Sequence, residues 1–362
     1  MSEQPDKGEM FEPSDVPALR RDLIEWLTDG RGYAFHRRQS RSAGSMLGRP
    51  ELDGHPIAMH AYAELLCQQE PKALKEAELY YVTAEMTSIV QAAAASMPAF
   101  VPRADDFPTP CGLVLFEAPL VTYRRSEEPI GLMVENRLAL DFRDQPYEDI
   151  AIVACSWGPY NAGGGWRDGG VFMSFYRDRR HLLSRLRDDS VRDDIRSTLA
   201  RLVPDNECGM AFDDSPELQE AVQAYDQPAF TTHWAKYLMA TLLLMNQPLV
   251  YQRDEAVRRG LRRQLERAGY PTGGIRILDV RPRRYATAPT AEDLEGTAGD
   301  DARRGVSVRF PVAGHWRNHW YPKREVHRPM WIEEHWRGPE DAPIVHPERV
   351  RVLRNHEERQ PS

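Results

Sequence analysis

Two short runs, residues 112–116 (GLVLF) and 150–155 (IAIVAC), are apolar without alternation. A strand that meets water on one face alternates apolar and polar side chains, so a run with no alternation must be covered on both faces. Such strands belong in the middle of a sheet with a layer on either side. Residues 120–123, 132–134 with 138–142, and 171–176 (VFMSFY) read as further strands, bounded by Pro, Gly and Asp.

Helical spacing lies on both sides of this region. Ser14 or Asp15 can cap a helix with Pro17 in its first turn; Leu19, Leu23, Trp26 and Leu27 form its apolar face, and Gly30 ends it. Residues 56–67 and 73–96 read as helices, the second carrying Leu79, Val82, Met86, Ile89, Val90 and Ala93 at helical spacing. Residues 31–50 are basic and rich in Ser and Gly; they read as a solvated loop, with a phosphate-contacting arm as the alternative. From residue 179 helical patterns return at 179–186, 191–202, 216–225, 230–245 and 255–268, followed by a strand at 275–280. In residues 230–245 the stripe Trp234, Tyr237, Leu238, Thr241, Leu242 and Met245 is core in character. The expected class is α+β: N-terminal helices, a central mixed β-sheet, a helical layer and a small C-terminal β-module. The expected division is 1–13 disordered, 14–107 helical, 108–285 an α/β core, 286–305 a flexible acidic linker, 306–353 an aromatic and basic β-module, and 354–362 a tail.

The module holds the densest chemistry. Residues 314–339 (GHWRNHWYPKREVHRPMWIEEHWRGP) contain four of the chain's eight tryptophans, Trp316, Trp320, Trp331 and Trp336, and four of its eleven histidines. Arg317, Lys323, Arg324, Arg328 and Arg337 are interleaved with them. Bases stack on aromatic faces and phosphates meet Arg or Lys, so this mixture is either a cross-braced small core or a binding surface. Between Arg303 and Arg337 eight basic side chains face three acidic ones, within a chain of net charge −8. That total argues against coating nucleic acid over the whole surface, but not against one basic face. The reading is a non-catalytic nucleic-acid-associated protein with DNA or RNA as partner. Arg317, Arg324, Arg328 and Arg337 would meet phosphates, Trp316, Trp320 and Trp336 would offer stacking faces, and Arg37, Arg38 and Arg41 would assist.

Other chemistries find less support. On a strand His315 and His319 would point the same way about 13 Å apart. HExxH is absent, and the inverted HxxEH fails because Trp331 stands where its first His belongs. No metal and no cofactor are therefore expected. A hydrolase or nuclease of unfamiliar type would use Cys155, read at a strand end, or the histidines around His315 and His335. A protein–protein adaptor would use exposed tryptophans. Residues 156–170 (SWGPYNAGGGWRDGG) match neither GxGxxG nor GxxxxGK[ST] and read as a hairpin connection. The four cysteines form no CxxC pair, the N-terminus is polar and acidic, and no apolar run reaches membrane-spanning length. A reducing cytoplasm with no membrane partner is the expectation.

SWGP (156–159), LLMNQPL (243–249), and GHWRNHWYP with HRPMWIEEHWRGPEDAPIV within 314–345 carry a resemblance. The chain resembles a group of actinobacterial proteins found on chromosomes, plasmids and phage genomes, with no assigned activity. The resemblance implies a context in a mobile element or phage, in replication, regulation or phage–host conflict. It assigns no residue a role.

Overall fold

The computed structural model describes residues 11–97, 104–125, 133–134, 137–138, 147–159, 169–184, 196–211, 230–281, 309–321, 326–339 and 343. A seven-stranded sheet forms its centre. It is built from β1 (Glu78–Val82), β2 (Gly112–Arg125), β5 (Tyr147–Pro159), β6 (Gly170–Asp178), β7 (Leu202–Ala211), β8 (Val250–Glu255) and β9 (Ile275–Val280). The order is β7-β6-β5-β2-β1-β9-β8. β1 runs parallel to β2 and β9 and the other neighbours are antiparallel, so the sheet is mixed and the class is α+β. β3 (Met133–Val134) and β4 (Arg137–Leu138) form a separate short pair.

The non-alternating runs sit where their pattern requires. Leu113, Val114, Leu115 and Phe116 are each at most 1% exposed. Val114 and Phe116 enter one apolar cluster with α5 (Ala84–Ala95) and α7 (Phe230–Met245). Leu113 and Leu115 enter a second, with α1 (Val16–Thr28), the end of α4 (Pro56–Glu76) and Leu265 of α8 (Arg259–Arg267). The sheet thus has a first face under α5 and α7, and a second under α1, α4 and α8. The remaining helices are α2 (Arg31–Gln39) and α3 (Ala43–Met46), which pack on α4, and α6 (Arg179–Ser184). At the centre Trp157 lies across Gly112, where a Cβ would meet the indole at 2.0 Å, so only glycine fits.

Several segments differ from their sequence pattern, each for a physical reason. Residues 73–96 are the end of α4, then β1, then α5, whose cap Thr83 accepts the Met86 N–H at 3.4 Å. The run Leu79–Tyr80–Tyr81–Val82 is buried on both faces, and a short continuous apolar run fits a helix or a strand equally well. Within the expected loop, Arg31–Gln39 and Ala43–Met46 are helical, and Phe35 and His36 of α2 pack edge-on against Trp26 at 5.5 and 5.8 Å. β7 and β8, unread from the sequence, are the two edges of the sheet. Edge strands tolerate proline and exposed charge, and these carry Pro204 and Arg253–Asp254–Glu255. Residues on both sides of position 107 build this one sheet.

Beyond the sheet lie β10 (Phe310–Val312), β11 (His315–Tyr321), β12 (Val326–Ile332) and β13 (His335–Arg337). β11 and β12 form an antiparallel ladder, and β10 pairs antiparallel with β13. The expected linker 286–305, the end of the expected C-terminal module at 344–353, the N-terminal segment 1–10 and the tail lie outside the described residues. Among the described residues no helix is long and apolar enough to cross a membrane.

Candidate nucleic-acid interface

The C-terminal strands are seated on the first face by two of their four tryptophans. Trp316 and Trp331 stand opposite each other in the β11–β12 ladder and meet edge-to-face, 5.4 Å apart at 67°. Trp331 is 8% exposed and belongs to the same cluster as α5 and α7. Trp316 packs on that cluster and donates its indole N–H to the Ala93 carbonyl of α5 at 2.7 Å. The Trp331 N–H donates to the Gln247 side-chain oxygen just past α7, at 3.2 Å. Gly314 lets the chain pass, since a Cβ there would meet the Trp331 ring at 2.5 Å. Trp316, partly buried, therefore works as an anchor and has less of its ring open than a free stacking face would.

The other two predicted aromatics are open. Trp320 is 44% exposed and Trp336 45%, with Tyr251 and Ile57 the other large hydrophobic side chains exposed among the described residues. The Arg309 guanidinium lies 5.6 Å from the Trp336 ring centre. Arg317 and Arg337 are exposed. Strand alternation separates the predicted partners, however. Along β11, Trp316 and Trp320 share one side, and Arg317 and His319 take the other. Arg328 stands opposite His319 in the ladder, and Arg324 lies outside the described residues. Arg37 and Arg38 are on α2 and Arg41 just follows it, in the helical layer of the second face. They lie across the sheet from the C-terminal strands and do not join them in one surface.

Between these strands and the β8–β9 edge runs an open cleft of about 1130 Å³, lined by Gln247, Tyr251, Met330 and Trp331 among others. Its charged lining is Arg281 against Asp279 and Glu333. Two carboxylates to one guanidinium do not suit a phosphate chain, so any polyanion belongs on the outer surfaces.

The structure also assembles a polar group that the sequence did not single out. Ser156 of β5, Ser174 of β6 and Glu207 of β7 stand side by side in register. Glu70 of α4 and His36 of α2 cover this row from above. Tyr176 donates its hydroxyl to Glu70 in a short hydrogen bond; its single proton being so used, the Ser156 hydroxyl donates to Tyr176 at 2.7 Å. Burial raises the Glu70 carboxyl, against the lowering effect of the Tyr176 and Ser174 hydrogen bonds. Burial, with Glu70 and Asp205 nearby, pushes Glu207 up to about 8, and burial pushes His36 down to about 3. Glu207 Oε1 and His36 Nδ1, 3.6 Å apart, are thus a neutral acid beside a neutral imidazole and not an ion pair. The signal was present in α4. Tyr62, Leu66, Glu70 and Leu74 recur every fourth residue, which puts a carboxyl on the buried stripe.

Cys155 does not sit at a strand end. It lies within β5, fully buried, and burial raises its thiol well above the ordinary value. A buried thiol with so little thiolate is a poor nucleophile. His315 and His335, distant in sequence, bring their ring centres to 6.5 Å. No group of three or more His, Cys, Asp or Glu side chains among the described residues could hold a metal ion.

No family model and no curated protein matches the chain. Among solved structures it is similar to the crystal structure of AcrVA2, with 13% sequence identity and a TM-score of 0.38 over 89% of this chain and 97% of that one. At that TM-score the likeness fixes neither fold nor function.

Proposed function

We propose that the protein is a non-catalytic nucleic-acid-associated protein that holds a single strand on its C-terminal strands. One observation carries the reading: Trp316 and Trp331 are used to seat the module, while Trp320 and Trp336 remain nearly half exposed. Two indoles held nearly half exposed offer faces on which bases can stack. Arg309 lies beside the Trp336 ring, and exposed Arg317 and Arg337 supply further cations on the same strands. Because Arg317 and Trp320 face opposite ways on β11, a rigid duplex cannot meet both together. A flexible single strand can bend around the ladder, stacking on one side and pairing its phosphates on the other.

Affinity should fall steeply with salt, and Trp320→Ala and Trp336→Ala should each weaken oligonucleotide binding by about 1–3 kcal/mol. Fluorescence anisotropy of labelled oligo(dT), oligo(U) and a duplex of equal length, over a salt series, measures both effects. Absence of binding at about 50 mM salt, where the phosphate contribution is strong, would remove the proposal. Binding of a protein partner that ignores salt but depends on the same tryptophans would replace it with an adaptor role.

A further inference from the structure

The helix between the last two strands of the sheet carries an unused stripe of charge. α8 holds Arg259, Arg263 and Arg267 at every fourth position, so they lie in one row about 6 Å apart along the axis. All three are exposed, and none of them forms an ion pair among the described residues. The neighbouring arginines behave differently. Arg262 is bridged to Glu266 at 3.0 Å, and Arg258 to Glu12 at 3.2 Å. Leu265, fully buried, and Leu261 fix the helix on the second face and turn the row outward.

This arrangement works against the helix that bears it. Like charges four residues apart repel. Arg259 occupies the first turn, the positive end of the helix dipole, and no acidic residue stands in that turn to offset it. A row whose members repel one another and have no ion-pair partner among the described residues is suited to a polyanion that supplies the charge. β8 adds to the surface. Its ladder with β9 sets Tyr251 and Arg253 on the same sheet face as Ile275 and Ile277, the face that α8 covers. Tyr251 is 47% exposed, and Arg253 shares its charge with Glu255 at 3.6 Å. An exposed aromatic and a row of unpaired guanidiniums share this face at one edge of the sheet.

The geometry points to a second nucleic-acid contact on α8, in which Arg259, Arg263 and Arg267 hold successive phosphates of a strand that also engages the C-terminal tryptophans. The inference rests on the function proposed above and extends it to the second face of the sheet. Charge repeating along a line favours a phosphodiester backbone over an acidic protein patch, whose carboxylates are not evenly strung.

The test is the salt dependence of oligo(dT) binding by the full chain, its Arg259→Gln/Arg263→Gln/Arg267→Gln variant, and Trp320→Ala. Three lost phosphate contacts should make the log–log salt slope shallower by about 2 for a single strand. The triple variant should melt no lower than wild type, since it removes repulsion. That combination supports the inference, whereas Trp320→Ala should lower affinity and leave the slope unchanged. A triple variant with the wild-type slope, alongside a weakened Trp320→Ala, overturns the α8 contact and leaves the proposed function standing. A wild type that binds no oligonucleotide overturns both. Competition by poly-glutamate equal, charge for charge, to that by oligo(dT) overturns the assignment to nucleic acid.

Discussion

Glu207 holds its proton through neutral pH, and this makes the fold sensitive to alkali. Its carboxyl rises from an ordinary 4.5 to about 8 in the folded chain because the side chain is largely buried beside Glu70. Below about pH 4.5 both folded and unfolded chains are protonated, and the group leaves stability unchanged. Between that point and about 8 only the unfolded chain ionises, so this group's contribution to stability falls by about 1.4 kcal/mol per pH unit until the folded pKa is passed. Glu70, shifted the same way, adds to the slope. Glu207→Gln keeps the shape and cannot ionise. Urea denaturation at several pH values between about 6.5 and 8 should show wild type losing stability with rising pH and the variant losing markedly less. Equal slopes would mean that Glu207 titrates normally. His36 works the other way below about pH 6.5: burial holds it near 3 in the folded chain, so only the unfolded chain takes up its proton, which offsets the Glu207 slope there and leaves the net decline to the range from about 6.5 to 8.

At the scale of elements, the two tryptophan pairs of the C-terminal strands make opposite predictions. Trp316 ties β11 to α5, so Trp316→Ala should destabilise the protein by about 3 kcal/mol, as truncating a packed aromatic does. Trp320→Ala removes a half-exposed ring and should stay within about 0.5 kcal/mol. Chemical denaturation of the two variants decides which indoles belong to the core. Composition could not have told them apart, since all four sit in the same mixture of Trp, His and Arg. What separates them is the pairing of Trp316 with Trp331 and contact with α5 and α7, elements distant in sequence that only the fold brings to these strands. Elsewhere local pattern was enough. The α1 face of Leu19, Leu23, Trp26 and Leu27 and the α7 stripe from Trp234 to Met245 are buried as their spacing requires. Cys155 shows the limit: the residue type suggested chemistry, and its place within β5 denies it.

At the scale of the whole molecule, the central question is whether the C-terminal strands act as an appendage or as part of the body. They are too short to maintain a core of their own. Their buried tryptophan lies in the cluster that also contains Val114 of β2, Val90 of α5 and Leu238 of α7. The Gln247 side chain, which receives the Trp331 N–H, in turn donates to Leu243 in α7 at 3.3 Å. A shared cluster and a hydrogen-bonded seam mean that releasing the strands would expose the first face of the sheet. The body without them would lose the cover over α5. Unfolding should therefore be one cooperative event: tryptophan fluorescence, dominated by both regions, and far-ultraviolet circular dichroism should report coincident midpoints in urea. Trp316→Ala should move both curves together. A fluorescence transition that precedes the loss of helix, with the variant shifting only the early step, would mean that the strands detach first. In that case the exposed Trp320 and Trp336 would belong to a mobile arm, and binding would have to supply the ordering that the fold otherwise provides.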